Sequence, residues 1–418
     1  MTAPGPAGSG VELPRLLDEL ERLAGFSDAP PPAVTRVLWT PADRAARDYV
    51  RGLLAAAGLT LREDALGTLF ARWEGADPRL APVATGSHVD AIPGAGRYDG
   101  TVGVVGGIEA LRLLRRGGFR PRRSIELIVF NAEEPTRFGL SCLGSRAMSG
   151  ALDPEAMLAL RDGAGTPFAA ARAAAGHTGP LESVRLPEGA YAAFVELHIE
   201  QGPELEAQGV PIGVVTGIAA PATLRATVEG EGGHAGAVLM PRRRDALPGA
   251  AEIALAVERA ALASGSPDTV GTVGVFRVTP GAVNGIPARV DLEIDVRDVS
   301  LALRDRVVEA IAAAARAATA RRGLGLTLVT LNADPPATAD PQLVDTIESA
   351  AADCGLAALR LPSRAYHDSL FMARLCPTGM IFVPCRGGVS HRPDEYVSPE
   401  HLAAGVAVLA RTLQRLAA

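Results

Sequence analysis

Four short segments of the sequence bring histidines and carboxylates together at or just after runs of apolar residues. These residues are His88, Asp90 and Asp99 in GSHVDAIPGAGRYDG, Glu133 and Glu134 in NAEEPTRFG, His198 in ELHIEQGP, and His391 in GGVSHRPDEY. Imidazoles and carboxylates without thiolates form a ligand set suited to zinc, manganese, cobalt or nickel. A carboxylate that bridges two such metals about 3.5 to 4 Å apart is a common basis for a hydrolytic site. The pattern therefore predicts metal-assisted hydrolysis.

Each segment taken alone has a simpler interpretation. The loop that contains Asp90 and Asp99 has the composition of a hydrophilic turn, and a histidine at a strand end is more often a hydrogen-bonded structural residue than a ligand. The joint pattern favours a site, because the carboxyl ends of neighbouring parallel strands meet at one rim of an α/β sheet.

The elements that would position these residues alternate along the chain. Strands are expected at 81–88, 125–130, 192–198 and 379–385, and helices at 11–26, 40–57 and 102–115, with a glycine-rich turn at 93–100. Thr40, Pro41 and Asp43 are suited to the cap, the first position and the first turn of a helix. This alternation predicts an α/β protein with a doubly wound mixed sheet.

The middle of the sequence has a different pattern. Strand-like runs at 223–228, 272–278 and 288–296 come in quick succession, with helices near 245–263 and 302–321. We therefore expect an inserted α+β domain at 215–331 and a discontinuous first domain at 11–214 and 332–418. Residues 1–10 are expected to form a disordered tail.

The composition limits the classes of function. All 41 basic side chains are arginine, so no lysine is available as a Schiff base or as a P-loop residue. The net charge of −6 argues against a nucleic-acid partner. The four cysteines lack the spacing of a disulfide framework or a thiolate metal site. No apolar stretch has membrane-spanning length and no signal peptide is evident, so we expect a cytoplasmic protein without a membrane partner.

A family resemblance covers nearly the whole chain. It is carried by GSHVDAIPGAGRYDG, NAEEPTRFG, GSRAMSG, ELHIEQGPELE, GGHAG with RRRDAL, VNGIPARVDLEIDVRD and MIFVPCRGGVSHRPDEY, in this order. These segments resemble the N-carbamoyl-L-amino acid hydrolase and allantoate amidohydrolase branch of the M20 metallohydrolases.

The resemblance implies roles for the residues above. His88 and His198 would hold one divalent metal ion, Glu134 and His391 a second, and Asp99 would bridge them. Asp90 would orient His88 through its other ring nitrogen. Glu133 would be the general base that takes a proton from water and returns it to the leaving nitrogen.

The resemblance also implies that the inserted domain is a lid and dimerisation domain in a homodimer. His234 would reach the active site of the neighbouring subunit and polarise the substrate carbonyl, although a histidine satisfied inside a lid strand is the alternative. Asn284 and Arg297 would grip a substrate carboxylate, and Gln201 would line the same pocket.

The implied reaction is cleavage of the N-carbamoyl C–N bond of a small carboxylate-bearing substrate such as an N-carbamoyl-L-amino acid, with release of ammonia and carbon dioxide. The alternatives are an allantoate- or ureidoglycolate-type amidohydrolase, an M20 peptidase or N-acyl amino acid deacylase, and a binding protein without catalysis. His198 favours the carbamoylase branch, because the peptidase branch usually has a carboxylate at this position.

Two positions depart from the family pattern. After the HAG motif the family usually continues with small or hydroxyl-bearing residues and a proline, whereas this chain has Ala237, Val238, Leu239 and Met240. Before His367 the family often has glycine, whereas this chain has Tyr366. Both changes make the surroundings bulkier and bear on the substrate.

Overall fold

The structure, a computed structural model, describes residues 10–418. The tail expected at 1–10 lies, apart from Gly10, outside the described residues. The chain divides into two compact units. Unit 1 comprises the described residues up to Thr216 together with Ala339–Ala418, and unit 2 comprises Gly217–Thr338.

The helices and strands are numbered in chain order. The helices are α1 (Leu13–Ala24), α2 (Pro41–Ala56), α3 (Thr101–Arg116), α4 (Leu143–Met148), α5 (Pro154–Ala159), α6 (Phe168–Ala174), α7 (Glu204–Gln208), α8 (Ala246–Leu262), α9 (Leu301–Arg322), α10 (Pro341–Asp353), α11 (Ser369–Met372) and α12 (Pro399–Ala417). The strands are β1 (Val34–Arg36), β2 (Thr60–Glu63), β3 (Leu69–Trp73), β4 (Val83–His88), β5 (Ala91–Ala95), β6 (Ile125–Phe130), β7 (Ala193–Ile199), β8 (Ile212–Ile218), β9 (Ala220–Glu229), β10 (Gly233–His234), β11 (Val270–Thr279), β12 (Gly285–Ile286), β13 (Arg289–Asp298), β14 (Gly325–Ala333), β15 (Ala337–Thr338), β16 (Ala358–Ser363) and β17 (Thr378–Val383).

The main sheet of unit 1 is mixed. Its order includes β8-β17-β7-β4-β6-β3-β2, in which β17, β7, β4 and β6 are parallel while β3, β2 and β8 run antiparallel to their neighbours. Along β6, Leu127 and Val129 enter one apolar cluster and Ile128 and Phe130 enter another. Because successive strand side chains point to opposite faces, the sheet is packed on both faces, as the α/β pattern predicts.

Local signals account for several helix starts. The hydroxyl of Thr40 accepts a hydrogen bond from the backbone N–H of Asp43 at the start of α2, and that of Ser398 accepts from the N–H of His401 at the start of α12. In both helices a proline follows the cap, where its missing N–H leaves no bond unmade.

One predicted turn is partly a strand. The glycine-rich segment expected at 93–100 begins within β5, which pairs antiparallel with β1. The turn interpretation was wrong for residues 93–95 because the short β1 segment supplies hydrogen-bond partners that turn-forming residues alone do not reveal.

Unit 2 contains a four-stranded antiparallel sheet in the order β11-β13-β9-β14. Leu224, Val290 and Leu292 of the sheet join α8 and α9 residues such as Ile253 and Ile311 in one core. Strand β14 was not expected, and the domain boundary drawn at 331 falls inside it. Because β14 pairs with β9, the strand extends as far as Ala333 and includes residues with turn propensity.

A glycine lets α3 lie close to β4 and β7, the strands that carry His88 and His198. A Cβ atom added to Gly103 would lie 2.4 Å from the carbonyl oxygen of Leu197 and 2.6 Å from Cβ of Ser87. Both neighbours belong to packed strands, so neither can move aside easily.

Among the described helices, none is both long and apolar enough to cross a membrane.

Gly103→Ala is expected to lower the free energy of unfolding by about 1–3 kcal/mol, the usual cost of overpacking a core. Gly52→Ala is the matched control, because Gly52 is also helical and a Cβ there would meet nothing within 4 Å. The control should be stabilised by about 0.5–1 kcal/mol. Thermal and urea unfolding of the two variants would check this, and equal stability of both would contradict the close packing of α3.

Candidate metal centre

The carboxyl ends of three parallel strands bring the candidate site residues to one edge of the unit 1 sheet. His88 is the last residue of β4 and pairs in register with Phe130, the last residue of β6. His198 lies near the end of β7 and pairs with Phe382 of β17. Because these strands are parallel and in register, their ends lie side by side, as the sequence pattern indicated.

Asp99 lies at the centre of the cluster. Its Oδ1 atom is 3.2 Å from Nε2 of His198 and 3.6 Å from Nε2 of His88. Its Oδ2 atom is 3.2 Å from Nε2 of His391, which in turn is 3.3 Å from Oε1 of Glu134. One carboxylate therefore contacts two histidines through one oxygen and a third histidine through the other.

These side chains form two groups that share Asp99. In the group of His88, Asp99 and His198, and in that of Asp99, Glu134 and His391, the potential ligand atoms lie within 4.8 Å of one another. The sets match the two metal positions implied by the sequence resemblance. A shared carboxylate with one oxygen directed to each group is an arrangement that suits a bridging ligand.

Backbone carbonyls orient two of the imidazoles. Nδ1 of His88 lies 3.0 Å from the carbonyl oxygen of Asp90, and Nδ1 of His198 lies 2.9 Å from that of Ile199. A carbonyl only accepts hydrogen bonds, so Nδ1 carries a proton in each ring, and Nε2, the ring nitrogen that faces Asp99, is the one available to a metal ion. This is the tautomer that a metal ligand requires.

The side chain of Asp90 has a different contact from the expected one. Its carboxylate accepts hydrogen bonds from the backbone N–H groups of Glu133, at 3.3 Å, and Glu134, at 3.0 Å. Its Oδ1 atom lies 3.7 Å from Nδ1 of His88. Asp90 therefore orients His88 mainly through its backbone carbonyl, while its carboxylate holds the turn with the two glutamates, whose buried N–H groups need an acceptor.

Glu133 and Glu134 point in different directions from this turn. Oε1 of Glu134 contacts His391, whereas Oε1 of Glu133 accepts a weak hydrogen bond from the thiol of Cys142, at 3.5 Å. The other oxygen of Glu133 is 3.8 Å from Nε2 of His88. Burial raises the pKa of Glu133 well above its ordinary value, and the neighbouring Glu134 raises it further.

The electrostatics of the cluster fit divalent cations. Burial lowers the pKa of His88, but Glu133 and Asp99 outweigh it and hold this pKa well above its ordinary value. Hydrogen bonds with Asp99 and Glu134 raise the pKa of His391 to about 10. The buried carboxylates thus draw positive charge onto the imidazoles, and bound cations would supply that charge instead of protons. The nitrogen and oxygen donors present therefore fit such ions.

A third group with potential ligands, Glu196, His198 and His367, does not suit a metal. The two carboxylate oxygens of Glu196 accept hydrogen bonds from Ser87, at 2.7 Å, and Ser369, at 2.6 Å. Both ring nitrogens of His198 already have the partners described above. We therefore assign this group to the support of the site: the carboxylate of Glu196 ties the end of β4 to the start of α11.

Several residues of the cluster were not found from the sequence. Besides Cys142 and Glu196, they include Ser390 and Glu395, which bind the Asp99 loop. For Ser390 and Glu395, the sequence offered as a local indication only their position in the segment SHRPDE, which contains His391.

Gln201 lies against Asp99. Its Nε2 atom donates to Oδ2 of Asp99 at 2.7 Å and approaches the hydroxyl of Ser390 at 3.4 Å. The structure thus brings Gln201 to the candidate metal cluster.

In unit 2, two of the remaining candidates lie close together. β10 pairs with β12, and the backbone N–H of Ala235 donates to the carbonyl of Asn284, so His234 and Asn284 share an exposed tip. The imidazole of His234 accepts from the backbone N–H of Gly236 at 3.1 Å. His234 thus ends the short strand β10 with its side chain exposed instead of buried within unit 2.

Arg297 lies at the end of the four-stranded sheet of unit 2 that is opposite to the β10–β12 tip. Beyond the β9–β13 pairing at Glu229 and Arg289, the two chain segments continue to the β10–β12 tip, whereas Arg297 pairs with Pro221 at the other end. Eight residues of strand separate Arg289 from Arg297, which is about 26 Å at ~3.3 Å per residue. The guanidinium group of Arg297 is paired with Asp295 at 2.8 Å. One chain thus cannot place the tip and Arg297 on the same small substrate.

Comparison with known proteins decides the family. The model of Peptidase family M20/M25/M40 matches residues 73–415. The chain belongs to the M20 family. Hydrolases of this family are metal-dependent, in agreement with the ligand groups around Asp99.

Two relatives and one solved structure indicate to which members of the M20 family the chain is most informatively compared. This M20 chain is 52% identical to a ureidoglycolate hydrolase of Arabidopsis thaliana, over 99% of this chain and 90% of the relative. It is 40% identical to an N-carbamoyl-L-amino acid amidohydrolase of Geobacillus stearothermophilus, over 96% and 98%. The crystal structure of AtUAH in complex with (S)-hydroxyglycine has a TM-score of 0.90 and 52% identity, covering 97% of this chain and 98% of that one. The M20 chain is a hydrolase of the amide or ureido type.

His198→Ala is expected to lose bound metal, whereas His367→Ala should retain it. The reason is that Glu196, the carboxylate in the group of His367, already accepts hydrogen bonds from the hydroxyls of Ser87 and Ser369. Elemental analysis of the purified variants after dialysis against a dilute divalent metal would check this. Equal loss of metal from both variants would mean that the Glu196 group also holds an ion.

Proposed function

We propose that the chain hydrolyses the ureido C–N bond of a small ureido acid of the ureidoglycolate type. The observation that carries this proposal is the 52% identity to a ureidoglycolate hydrolase over nearly the whole chain, compared with 40% for the N-carbamoyl-L-amino acid amidohydrolase. Both substrates contain the same ureido group and a nearby carboxylate. They differ in the substituent on the carbon between the two groups.

The reaction requires only water as co-reactant. Water adds to the ureido carbonyl carbon, the bond to the substituted nitrogen breaks, and the carbamate half decomposes to ammonia and carbon dioxide. From ureidoglycolate the amine product is hydroxyglycine. The complex of a 52% identical relative with (S)-hydroxyglycine supports this product for the present chain.

In this proposal two divalent metal ions share Asp99. His88 and His198 would hold one ion, and Glu134 and His391 the other. When bound, such ions polarise a carbonyl and acidify water. The residues of the chain hold the arrangement in place: the carbonyls of Asp90 and Ile199 fix the ring tautomers of the two strand-end histidines.

Glu133 is the general base and acid. Its carboxylate is close to His88 but makes none of the contacts with Asp99 that define the two ligand groups, so it is available to accept a proton from the attacking water. The same carboxyl group then donates the proton to the leaving nitrogen. Its raised pKa, a result of burial, suits a group that must both take and return a proton near neutrality.

Tyr366 supports a small substrate. Its hydroxyl accepts a hydrogen bond from Arg146 at 2.8 Å, and its ring lies 5.9 Å from that of Phe371, so the side chain is held in place. The next residue, His367, packs its ring 4.5 Å from the ring of His198. A fixed aromatic side chain next in sequence to His367, at a position where the family resemblance implies glycine, is proposed to reduce the room for a substrate substituent.

A homodimer would complete the site. His234 and Asn284 lie at one end of the unit 2 sheet and Arg297 at the other, so a substrate bound by all three requires two copies of the chain. In this arrangement the tip of one copy brings His234 to the substrate carbonyl, and Arg297 of the other copy binds the carboxylate.

Glu133→Gln should retain metal and lower kcat by about 10²–10⁴-fold, because the amide cannot accept the proton from water. Glu134→Gln is the matched control in the same turn and should instead lose metal. Steady-state kinetics and metal analysis of both variants would check this. Substantial turnover by metal-loaded Glu133→Gln would remove Glu133 from the role of base.

The substrate proposal is tested by ammonia release from ureidoglycolate, N-carbamoyl amino acids, allantoate and N-acetyl amino acids. Metal-stripped enzyme would be reconstituted separately with manganese, zinc, cobalt and nickel. We expect metal-dependent ammonia release with the highest kcat/KM for ureidoglycolate. Amino acid release from the acetylated panel without ammonia would instead establish a deacylase.

Variants of Tyr366 sharpen the same test. Tyr366→Gly should raise kcat/KM for allantoate relative to kcat/KM for ureidoglycolate by about 10-fold or more. Steric discrimination in a pocket is worth about 1–3 kcal/mol. Tyr366→Phe keeps the ring and removes only the hydrogen bond with Arg146, so it should keep the preference. An unchanged ratio in the glycine variant would show that Tyr366 does not limit substrate size.

A further inference from the structure

Glu395 is a buried carboxylate in the loop that follows His391, with only 4% of its surface exposed. Its Oε1 atom accepts hydrogen bonds from the backbone N–H groups of Tyr98, at 2.7 Å, and Asp99, at 3.1 Å. Its Oε2 atom lies 2.9 Å from the hydroxyl of Ser390. One side chain thus joins the loop with His391 to the loop with Asp99.

The contacts of Glu395 reach both the backbone and the side chain of Asp99. Besides the direct bond to the Asp99 N–H, Ser390 connects the two carboxylates, since its hydroxyl lies 2.7 Å from Oδ2 of Asp99. A serine hydroxyl has one proton and two lone pairs. It can therefore donate to only one of the two carboxylates at a time, while the amide of Gln201 lies 3.4 Å away as a donor to its oxygen.

Gly96 packs directly against the side chain of Glu395. A Cβ atom on Gly96 would lie 2.3 Å from Cβ of Glu395 and 2.4 Å from its Oε1 atom. The absence of a side chain at Gly96 thus allows the carboxylate to reach the backbone of residues 98 and 99. Both loops are shaped around this one interaction.

We propose that Glu395 is a positioning residue that fixes the backbone and carboxylate of Asp99 in the geometry needed to bind two metal ions. The inference rests on the proposed bridging role of Asp99. It assigns to Glu395 no contact with substrate: the residue acts through the N–H groups of Tyr98 and Asp99 and through Ser390. Residues that orient metal ligands in this way typically change metal affinity when altered.

Two mild substitutions separate geometry from charge. Glu395→Gln removes the charge but keeps a carbonyl oxygen for the two backbone N–H groups, and its amide nitrogen can donate to the hydroxyl of Ser390. Glu395→Asp keeps the charge but draws the carboxylate back by about 1.5 Å, one C–C bond, beyond reach of those N–H groups. A positioning role predicts that the glutamine variant resembles the unmodified protein and the aspartate variant does not.

The experiment is a titration of the metal-free full chain with Co²⁺, followed by the visible absorption of the bound ion. We expect Glu395→Asp to weaken Co²⁺ binding by about 10–100-fold, the usual cost of losing an interaction that orients a ligand. Glu395→Gln should keep affinity and absorption spectrum close to those of the unmodified protein. Weaker binding by the glutamine variant than by the aspartate variant, or unchanged binding by both, would overturn the proposal.

Asp64→Ala is the structural control. The carboxylate of Asp64 also accepts from two backbone N–H groups, those of Leu66 at 2.8 Å and Thr68 at 2.9 Å, in the turn between β2 and β3. This variant should lower the thermal unfolding midpoint of the metal-free protein but leave Co²⁺ affinity unchanged. Loss of affinity in Asp64→Ala as well would attribute the effect at Glu395 to general stability.

The titration also separates this inference from the function on which it rests. If the unmodified protein binds no Co²⁺, the proposed metal centre itself is wrong and Glu395 has no such role. If the unmodified protein binds two ions and all Glu395 variants do the same with equal affinity, only the positioning role fails.

Discussion

The crowding of buried carboxylates at one edge of the unit 1 sheet is the constraint on which the rest of the structure depends. Asp90, Asp99, Glu133 and Glu134 are each less than a tenth exposed, and their charges would repel one another in an apolar interior. Two kinds of group offset this repulsion. Backbone N–H groups bind the carboxylate of Asp90, and imidazoles, with the cations they are suited to hold, surround that of Asp99.

The fold provides these partners through close backbone approach. Parallel strands that end in register place two histidines beside the turn with the two glutamates, and the glycines of the following loop allow the elements to meet. A Cβ on Gly100 would lie 2.4 Å from the ring of His88, just as one on Gly103 would meet β7. The glycine-rich segment after β4 is thus required by packing around the ligands, and it need not bind a nucleotide phosphate.

The sequence was sufficient to predict the parts of the fold and site that depend on local pattern. His88 and His198 were placed correctly because apolar strands end at them, and the long helices because caps and periodicity mark them. Contacts between distant segments were not predictable in this way. Glu395 binds the N–H of Asp99 across nearly three hundred residues, and the buried carboxylate of Glu196 lies within a strand that has apolar neighbours. Strand β14 likewise depends on its partner β9.

The division of labour within the proposed site would allow one metal centre to act on different ureido acids. The candidate ligands and Glu133 come from strand ends and short turns of a packed sheet, where a shift of one side chain disturbs several others. The groups proposed to select the substrate lie elsewhere: Tyr366 precedes a short helix, and His234 lies on an exposed tip. Ureidoglycolate and N-carbamoyl amino acids share the bond that is cleaved and differ only in the group beside the carboxylate. In this proposal, substrate preference can change through these peripheral residues while the proposed metal ligands stay the same, and the bulk of Tyr366 is the feature of this chain that argues for the smaller substrate.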